Sequence, residues 1–248
     1  MTGKVGLGIA TYRREDRYHT LCESIETHLL GVVDEIVAYH DGPVEGYNDH
    51  RQWPLHDGLV NQGVAAAKNW CFRELLKRGC DWVFLAEDDM TIDDVSAVTG
   101  YIAAAEASGQ RHLCFHAHGP ANRLAMRTDG PVTIWPNFIG AWCLYHRSDL
   151  EAGVGWFDTG MRTFEHVRSS AELMRHGACH KWPGVADATG SEYWLHEQPG
   201  AIEDSTFPEA ERFANQRAAI LRWRQKDPET LRWIFGEVSP WEREPANV

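Results

Sequence analysis

WVFLAEDDMTIDDV, residues 82–95, joins a run of apolar β-formers directly to three consecutive acidic side chains, Glu87, Asp88 and Asp89. Trp82, Val83, Phe84 and Leu85 read as a strand covered on both faces, the pattern of a parallel sheet lying between helices. Carboxylates at the mouth of such a strand repel one another and lose hydration, so a positive charge is required beside them. A hard divalent cation meets that need, because Mg²⁺ and Mn²⁺ prefer carboxylate oxygens and complete their shells with substrate phosphates. Glu87 and Asp89, separated by one residue, are the candidate ligands. The competing explanation is a helix start, whose dipole favours acids, and Asp93 and Asp94 fit it.

Upstream of this strand the chain alternates. Lys4–Thr11 and Asp34–Tyr39 read as strands, and Tyr18–Leu30 and Gly63–Arg78 as helices, the second stopping near Gly79. Residues 44–60 are polar and read as loop. Strand and helix in strict alternation predict a parallel sheet with covering helices, whose ligands sit at the carboxyl ends of the strands. By that rule Thr11–Arg13, Asp41–Gly42 and Glu87–Asp89 converge on one edge.

Downstream the pattern predicts a helix over 93–107, strands at 111–118 and 139–146, and a helix over 163–176 closed by His176-Gly177. Two further helices follow at 208–225 and in DPETLRWIFG, where Asp227 is the N-cap, Pro228 the first helical residue and Gly236 the stop. We expect an α/β domain over 1–202, with halves 1–95 and 96–202, and a helical extension over 203–248 packed on it.

The 248 residues suffice for a substantial core, and a net charge of −12 argues against tight nonspecific nucleic-acid binding. MTGKVGLGIATYRRED is charged too early for a secretion signal, and no stretch approaches the ~20 apolar residues of a membrane span. The six cysteines form no CxxC pair, which predicts reduced thiols and a cytoplasmic protein. GLGIAT, residues 6–11, lacks the third glycine of a dinucleotide fingerprint and holds its glycines within the strand, so a dehydrogenase is rejected. HLCFHAH, residues 112–118, would set His112, Cys114, His116 and His118 on one strand face. Same-face neighbours lie ~7 Å apart, too far to close a zinc tetrahedron. A polar face lining a cleft is the better reading, with His116 or His118 at its open end.

ATYRR at 10–14, HDGP at 40–43, NQGVAAAKN at 61–69 and EDD at 87–89 occur in the order found in the family 2-like glycosyltransferases of the GT-A fold, which the sequence resembles over its first 95 residues. GWFDTGMRTFEHVRSSAELMRHG, residues 155–177, is similar to that family's acceptor segment. The resemblance implies a Rossmann-like, mostly parallel sheet and a nucleoside-diphosphate sugar donor, with a UDP-sugar favoured. Thr11, Tyr12, Arg13, Asp41, Asn61, Lys68 and Asp88 would bind the donor. Glu87, Asp89 and a late histidine, His196, would hold Mn²⁺ or Mg²⁺, with Asp187 and Glu192 as competitors for the last place. Transfer with inversion needs a base on the acceptor hydroxyl. Where the family shows Glu-Asp this chain has Glu165-His166, and either residue fits the role. Of the tryptophans near the expected cleft (Trp53, Trp135, Trp142, Trp156, Trp182 and Trp194), Trp142 and Trp156 are the candidates for stacking on an acceptor. A saccharide, a protein, a small metabolite or a modified nucleobase would each supply the hydroxyl, and Arg162, Arg168, Arg175 and Lys181 are the candidate basic strip for a nucleic acid. The rival functions are a nucleotidyltransferase making sugar nucleotides and a noncatalytic nucleotide- or sugar-binding protein.

Overall fold

The computed structural model describes residues 3–43, 53, 55–58, 60–119, 121–180, 184–200 and 209–235. The first half runs β1 (Val5–Thr11), α1 (Glu15–His28), β2 (Glu35–His40), β3 (Leu55–Asp57), α2 (Val64–Lys77), β4 (Trp82–Glu87) and β5 (Met90–Ile92). Then come α3 (Ser96–Ser108), β6 (Leu113–Cys114), β7 (Arg127–Asp129), β8 (Val132–Trp135), β9 (Trp142–His146) and α4 (Arg147–Glu151). The chain ends with α5 (Glu165–Arg175), β10 (Val185–Ala188), β11 (Leu195–Glu197), α6 (Glu209–Lys226) and α7 (Pro228–Phe235).

Six strands form the central sheet in the order β3-β2-β1-β4-β9-β6. β3, β2, β1 and β4 are mutually parallel, and β9 enters antiparallel to both β4 and β6. All seven residues of β1 are buried, as are the first five of β4, because helices cover both faces. On one face Leu7, Ile9 and Phe84 pack with Tyr18, Leu21 and Ile25 of α1 and Val98 and Tyr101 of α3. On the other, Val83 and Leu85 meet Cys71, Phe72 and Leu75 of α2. Burying each such large apolar side chain contributes roughly 1.5–3 kcal/mol.

The glycines of GLGIAT serve this packing. A Cβ on Gly8 would stand 2.6 Å from Cys71 Cβ and 2.9 Å from Leu85 Cδ2, so the bare backbone is what lets α2 lie close on β1.

Several boundaries differ from expectation. Within the stretch read as loop, Leu55–Asp57 adds an edge strand to β2. The strand expected over 111–118 is confined to 113–114, because the His116 N–H is drawn to Asp187 Oδ2 at 2.9 Å instead of a ladder partner. The helix expected from 93 begins at Ser96, where Asp94 Oδ1 accepts from the Ser96 N–H at 2.7 Å. Two small sheets, β10-β8-β7 and β11-β5, were not anticipated. The second fastens the segment after the acidic run to residues a hundred positions later, with Met90 opposite Glu197 and Ile92 opposite Leu195.

The C-terminal helices dock on α5. Trp223 and Ile220 are fully buried against Val167 and Ala171. Asp158 receives Arg222 through two bonds of 2.9 and 2.8 Å and Lys226 at 3.0 Å, and Arg175 reaches Asp227 and Glu229. That spends Arg175, and Lys181 lies outside the described residues, so the basic strip expected from Arg162, Arg168, Arg175 and Lys181 is not assembled among the described residues.

Candidate active site

Parallel register brings the strand ends together. Ala10 lies opposite Tyr39 on one side and Glu87 on the other, and the Asp41 N–H donates to Thr11 O at 2.9 Å. The chain turns at Asp88 and Asp89, and this turn sends the three carboxylates in different directions. Glu87 meets Lys68 Nζ at 2.6 Å. Asp88, 1% exposed, accepts from Thr11 Oγ1 at 2.8 Å and faces Arg14 Nη2 at 3.1 Å. Asp89 accepts from Arg14 Nη1 at 2.9 Å and stands 3.4 Å from His118 Nε2.

The positive charge that the acidic run demands therefore comes first from Arg14 and Lys68. Burial pushes the Asp88 carboxyl up to about 7 against the pull of Arg14. Burial pushes Asp89 upward too, but His118 and Arg14 outweigh it and hold Asp89 down at about 2. Burial lowers His118, and Asp89, Glu87 and Glu197 more than reverse the effect.

Lys68 is 1% exposed and spans the site, touching Glu165 Oε1 at 3.2 Å as well as Glu87. Burial opposes its charge, but the two carboxylates prevail and raise its pKa. Glu165 is likewise desolvated, yet Lys68 and then His166 hold its carboxyl down at about 2. His166 Nδ1 is 3.5 Å from Glu165 Oε1, and its side chain keeps 23% of its surface open. It lies against Gly140, where a Cβ would come within 2.6 Å of His166 Cβ. Next to Lys68, Asn69 bonds Phe157 both ways, donating to its carbonyl at 2.8 Å and accepting from its N–H at 3.0 Å. Adjacent residues of α2 thus tie the end of β4 to the segment around Phe157 and Glu165.

A cleft of about 820 Å³ opens beside Glu87 and Glu165, while Lys68, Asp88 and Asp89 do not line it. Thr11, Tyr12, Arg13, Asp41, Asn61 and Glu87 line it together with Glu165 and His166. Arg14, Arg162 and Gln216 of α6 also reach it. Arg13 (φ 53°) and Phe164 (φ 59°) are the two non-glycine residues with left-handed backbone among the described residues, and both line this cleft. Such conformations cost on the order of 1 kcal/mol and gather at functional sites. Arg13 lies over the Tyr12 ring at 5.1 Å. Asp41 spends both oxygens on the N–H groups of Gln62 and Gly63, at 2.6 and 2.7 Å, and so fixes the start of α2.

Other expected residues stand elsewhere. Trp142 is fully buried against Phe84 and faces no acceptor, since its position opens the antiparallel core strand β9. Trp156 packs edge-on against Phe72 and donates to Leu150 O at 2.8 Å, also away from the cleft. Trp53 and Trp194 pack partly buried against the core, Trp135 stacks on His116, and Trp182 lies outside the described residues. His196 is exposed and paired with Asp93, so it does not reach Glu87 or Asp89. Its neighbour Glu197 points the other way, donor to none but acceptor from the Gly119 N–H at 2.8 Å, with Oε1 3.7 Å from His118 Nε2. Asp187, one competitor of His196, is fully buried and accepts from Tyr101, His116 and Ser191. The histidines of HLCFHAH disperse, with His112 in the core on Leu144 O and Ser170, His116 on Asp187 and His118 on Asp89.

Arg14, Gly140 and Glu197 are functional candidates that the sequence reading passed over, whereas His118 was read as one candidate for the open end of a polar strand face. Arg14 stood within the quoted ATYRR motif, and strand alternation next to His196 was the signal for Glu197. Gly140 carried no local signal of this kind.

A divalent cation fits this chemistry in part. The ion pairs link Glu87, Asp88, Asp89, Glu165 and Glu197 to Arg14, Lys68 and His118, so the balance of the network is negative. Asp89 Oδ1 and Glu197 Oε1 are buried without a hydrogen-bond partner. Among the described residues no three acidic, histidine or cysteine side chains form a ready-made cage. Mg²⁺-like ions need none, because they take one or two carboxylates and draw the remaining shell from phosphates and water.

No protein-family profile and no curated protein matches the sequence. Solved structures do. Mannosyltransferase PcManGT from Pyrobaculum calidifontis, in complex with GDP-Man and Mn²⁺, aligns with a TM-score of 0.62 at 13% identity, over 92% of this chain and 65% of that one. S. aureus TarS 1–349 in complex with UDP aligns at 0.58 and 12% identity, over 93% and 68%. Against S. aureus TarS the chain spans 43% of the other's length. At such identities the likeness defines architecture. The chain has the GT-A fold, with a mostly parallel central sheet and flanking helices.

Proposed function

We propose that this protein is a glycosyltransferase that moves a sugar from a nucleoside-diphosphate sugar to an acceptor hydroxyl with inversion. One observation carries the reading. A single cleft is lined both by residues at the carboxyl ends of β1, β2 and β4 (Thr11, Asp41 and Glu87) and by the Glu165-His166 pair. The strand-end residues suit a nucleotide, and the Glu-His pair suits a hydroxyl about to lose its proton. The solved neighbours in complex with UDP and with GDP-Man and Mn²⁺ support a nucleotide-sugar donor.

His166 is the base in this mechanism. Glu165 is pinned by Lys68, and a carboxylate held at about 2 is a weak proton acceptor at neutral pH. Glu165 instead orients the imidazole through Nδ1, leaving Nε2 to take the acceptor proton. The acceptor oxygen then forms its bond to the anomeric carbon as the bond from that carbon to the phosphate oxygen breaks, and the nucleoside diphosphate leaves with the electron pair. Arg13 and Arg162 flank the cleft and meet phosphate charge, and Tyr12 and Asn61 contact base or ribose. Asp89 is the residue that would hold a divalent cation, Mn²⁺ or Mg²⁺, and such an ion would supply positive charge against the leaving diphosphate.

The test incubates the protein with Mn²⁺ and a panel of UDP-, GDP- and TDP-sugars, UDP-sugars first, and measures nucleoside diphosphate released by slow hydrolysis. Release from one donor class is expected. Pyrophosphate release from a nucleoside triphosphate and a sugar phosphate would instead identify a nucleotidyltransferase, and nucleotide binding without either release a noncatalytic binder.

A further inference from the structure

We infer that Phe164 is a positioning residue for the Glu165-His166 pair, and that α6 and α7, by holding Phe164, set the aim of that pair. The inference rests on the glycosyltransferase reading for what the pair does, and on packing alone for how the pair is held.

Phe164 is the N-cap of α5 and has left-handed backbone, φ 59° and ψ 13°. That conformation crowds a Cβ against the following carbonyl, so glycine adopts it freely and phenylalanine only under strain. Local chemistry does not hold it there. No side chain caps α5, and the hydroxyl of the adjacent Thr163 is buried without a hydrogen-bond partner. Strained backbone of this kind persists only where the surrounding structure enforces it.

The C-terminal helices are that surrounding structure. The half-buried Phe164 ring packs on a cluster of Val167 and Ala171 from α5, Ile220 and Trp223 from α6, and Leu231 from α7. Polar contacts brace the cluster at both ends of α5. Ahead of the helix, Asp158 takes Arg222 and Lys226. In its last turn, Arg175 donates to Asp227 and to the Thr230 hydroxyl.

The reversal at Phe164 decides where the next two side chains point. Phe164 O accepts from the Arg168 N–H at 3.1 Å, so α5 starts immediately after it. Successive helical residues point about 100° apart, and a small change in entry angle swings both side chains off their partners. With the angle as it stands, Glu165 is buried 3.2 Å from the Lys68 ammonium, and His166 faces the cleft. Phe138 packs on the same cluster, two residues before the Gly140 against which His166 lies. One apolar cluster therefore supports both segments that flank the imidazole. Misplacing a reacting group by about 1 Å costs roughly 10²-fold in rate, which gives this support its consequence for turnover.

The experiment measures nucleoside diphosphate release and amide hydrogen exchange on the full chain, with circular dichroism to monitor folding. Phe164→Ala is expected to lower kcat roughly tenfold or more with donor KM within about threefold, and Phe164→Leu, which keeps apolar bulk, to recover most of the loss. Ile220 is fully buried and does not line the cleft, yet Ile220→Ala should lower kcat at saturating donor by roughly fivefold or more. The double variant should fall little below Phe164→Ala alone, because both changes act through one contact. Ile25→Ala makes the same truncation at a fully buried site under α1 and should leave kcat within about twofold. Exchange over 164–168 should quicken in Ile220→Ala and not in Ile25→Ala. Equal kcat losses in Ile220→Ala and Ile25→Ala, losses that multiply in the double variant, or unchanged exchange over 164–168 in Ile220→Ala overturns the inference. Should wild type release no nucleoside diphosphate from any donor, the transferase reading fails, and the exchange result alone decides whether α6 holds the turn.

Discussion

The ammonium of Lys68 stands 3.2 Å from the carboxylate of Glu165, a residue 97 positions further along the chain. Both groups are buried, and the same ammonium holds Glu87 at 2.6 Å. One cation thus joins the end of β4 to the start of α5 beneath the cleft.

Removing that cation leaves two carboxylates without compensation in a desolvated site. Lys68→Met is expected to destabilise the fold by about 3–5 kcal/mol in urea unfolding. Adding Glu165→Gln should recover part of the loss. The pair also sets a pH signature. Because the folded Glu165 carboxyl is depressed from 4.5 to about 2, its contribution is present above the ordinary glutamate range and lost as pH falls toward 2. Lys68→Met should abolish that acid-side component.

Gly140 makes room for His166. A methyl at position 140 would press His166 Cβ at 2.6 Å and Cγ at 2.7 Å. Gly140→Ala is therefore expected to lower kcat at least tenfold, with donor KM little changed, in steady-state assays of sugar transfer. His166→Ala should lose about 10²–10⁴-fold as the removal of a general base. Full activity in His166→Ala would reject it as the proton acceptor.

His112 is fully enclosed, with Nδ1 at 2.8 Å from Leu144 O and Nε2 at 2.8 Å from Ser170 Oγ. Burial lowers its pKa from 6.5 to about 4. The unfolded chain takes up this proton first, so stability present above pH 6.5 declines as pH falls toward 4. The loss from this group is about 3 kcal/mol at most. His112→Gln should show a shallower decline across that window when unfolding is followed by fluorescence.

Trp223 anchors the C-terminal helices, fully buried against α5. Trp223→Ala is expected to cost about 3–5 kcal/mol, the range for truncating a buried aromatic. Hydrogen exchange should rise across 209–235 and at the α5 face that carries Val167 and Ala171. Because Gln216 of α6 lines the cleft, donor affinity should weaken as well.

The layered architecture was legible because it rests on local pattern. The unbroken apolar runs of β1 and β4, the helices between them and the turn at Asp41-Gly42 each announce themselves within a few residues. The Glu-His pair at the head of α5 and the acidic run after β4 were visible for the same reason. Side-chain partners were not. Trp142 looked like a cleft residue by its neighbours in sequence, yet β9 carries it into the core beside Phe84. His196 looked like a late ligand, yet the pairing of β11 with β5 turns it outward and brings Glu197 in.

By itself, then, the order of residues determined the parallel sheet, its helical cover and the edge at which Thr11, Asp41 and Glu87 come together, since hydrophobic period and turn residues act over short range. Only the tertiary structure decided which cation answers which carboxylate: Lys68 for Glu87 and Glu165, Arg14 for Asp88 and Asp89, His118 between Asp89 and Glu197. Charge pairing depends on distances of a few ångströms between segments far apart in the chain, and those distances exist only once the strands have closed into register.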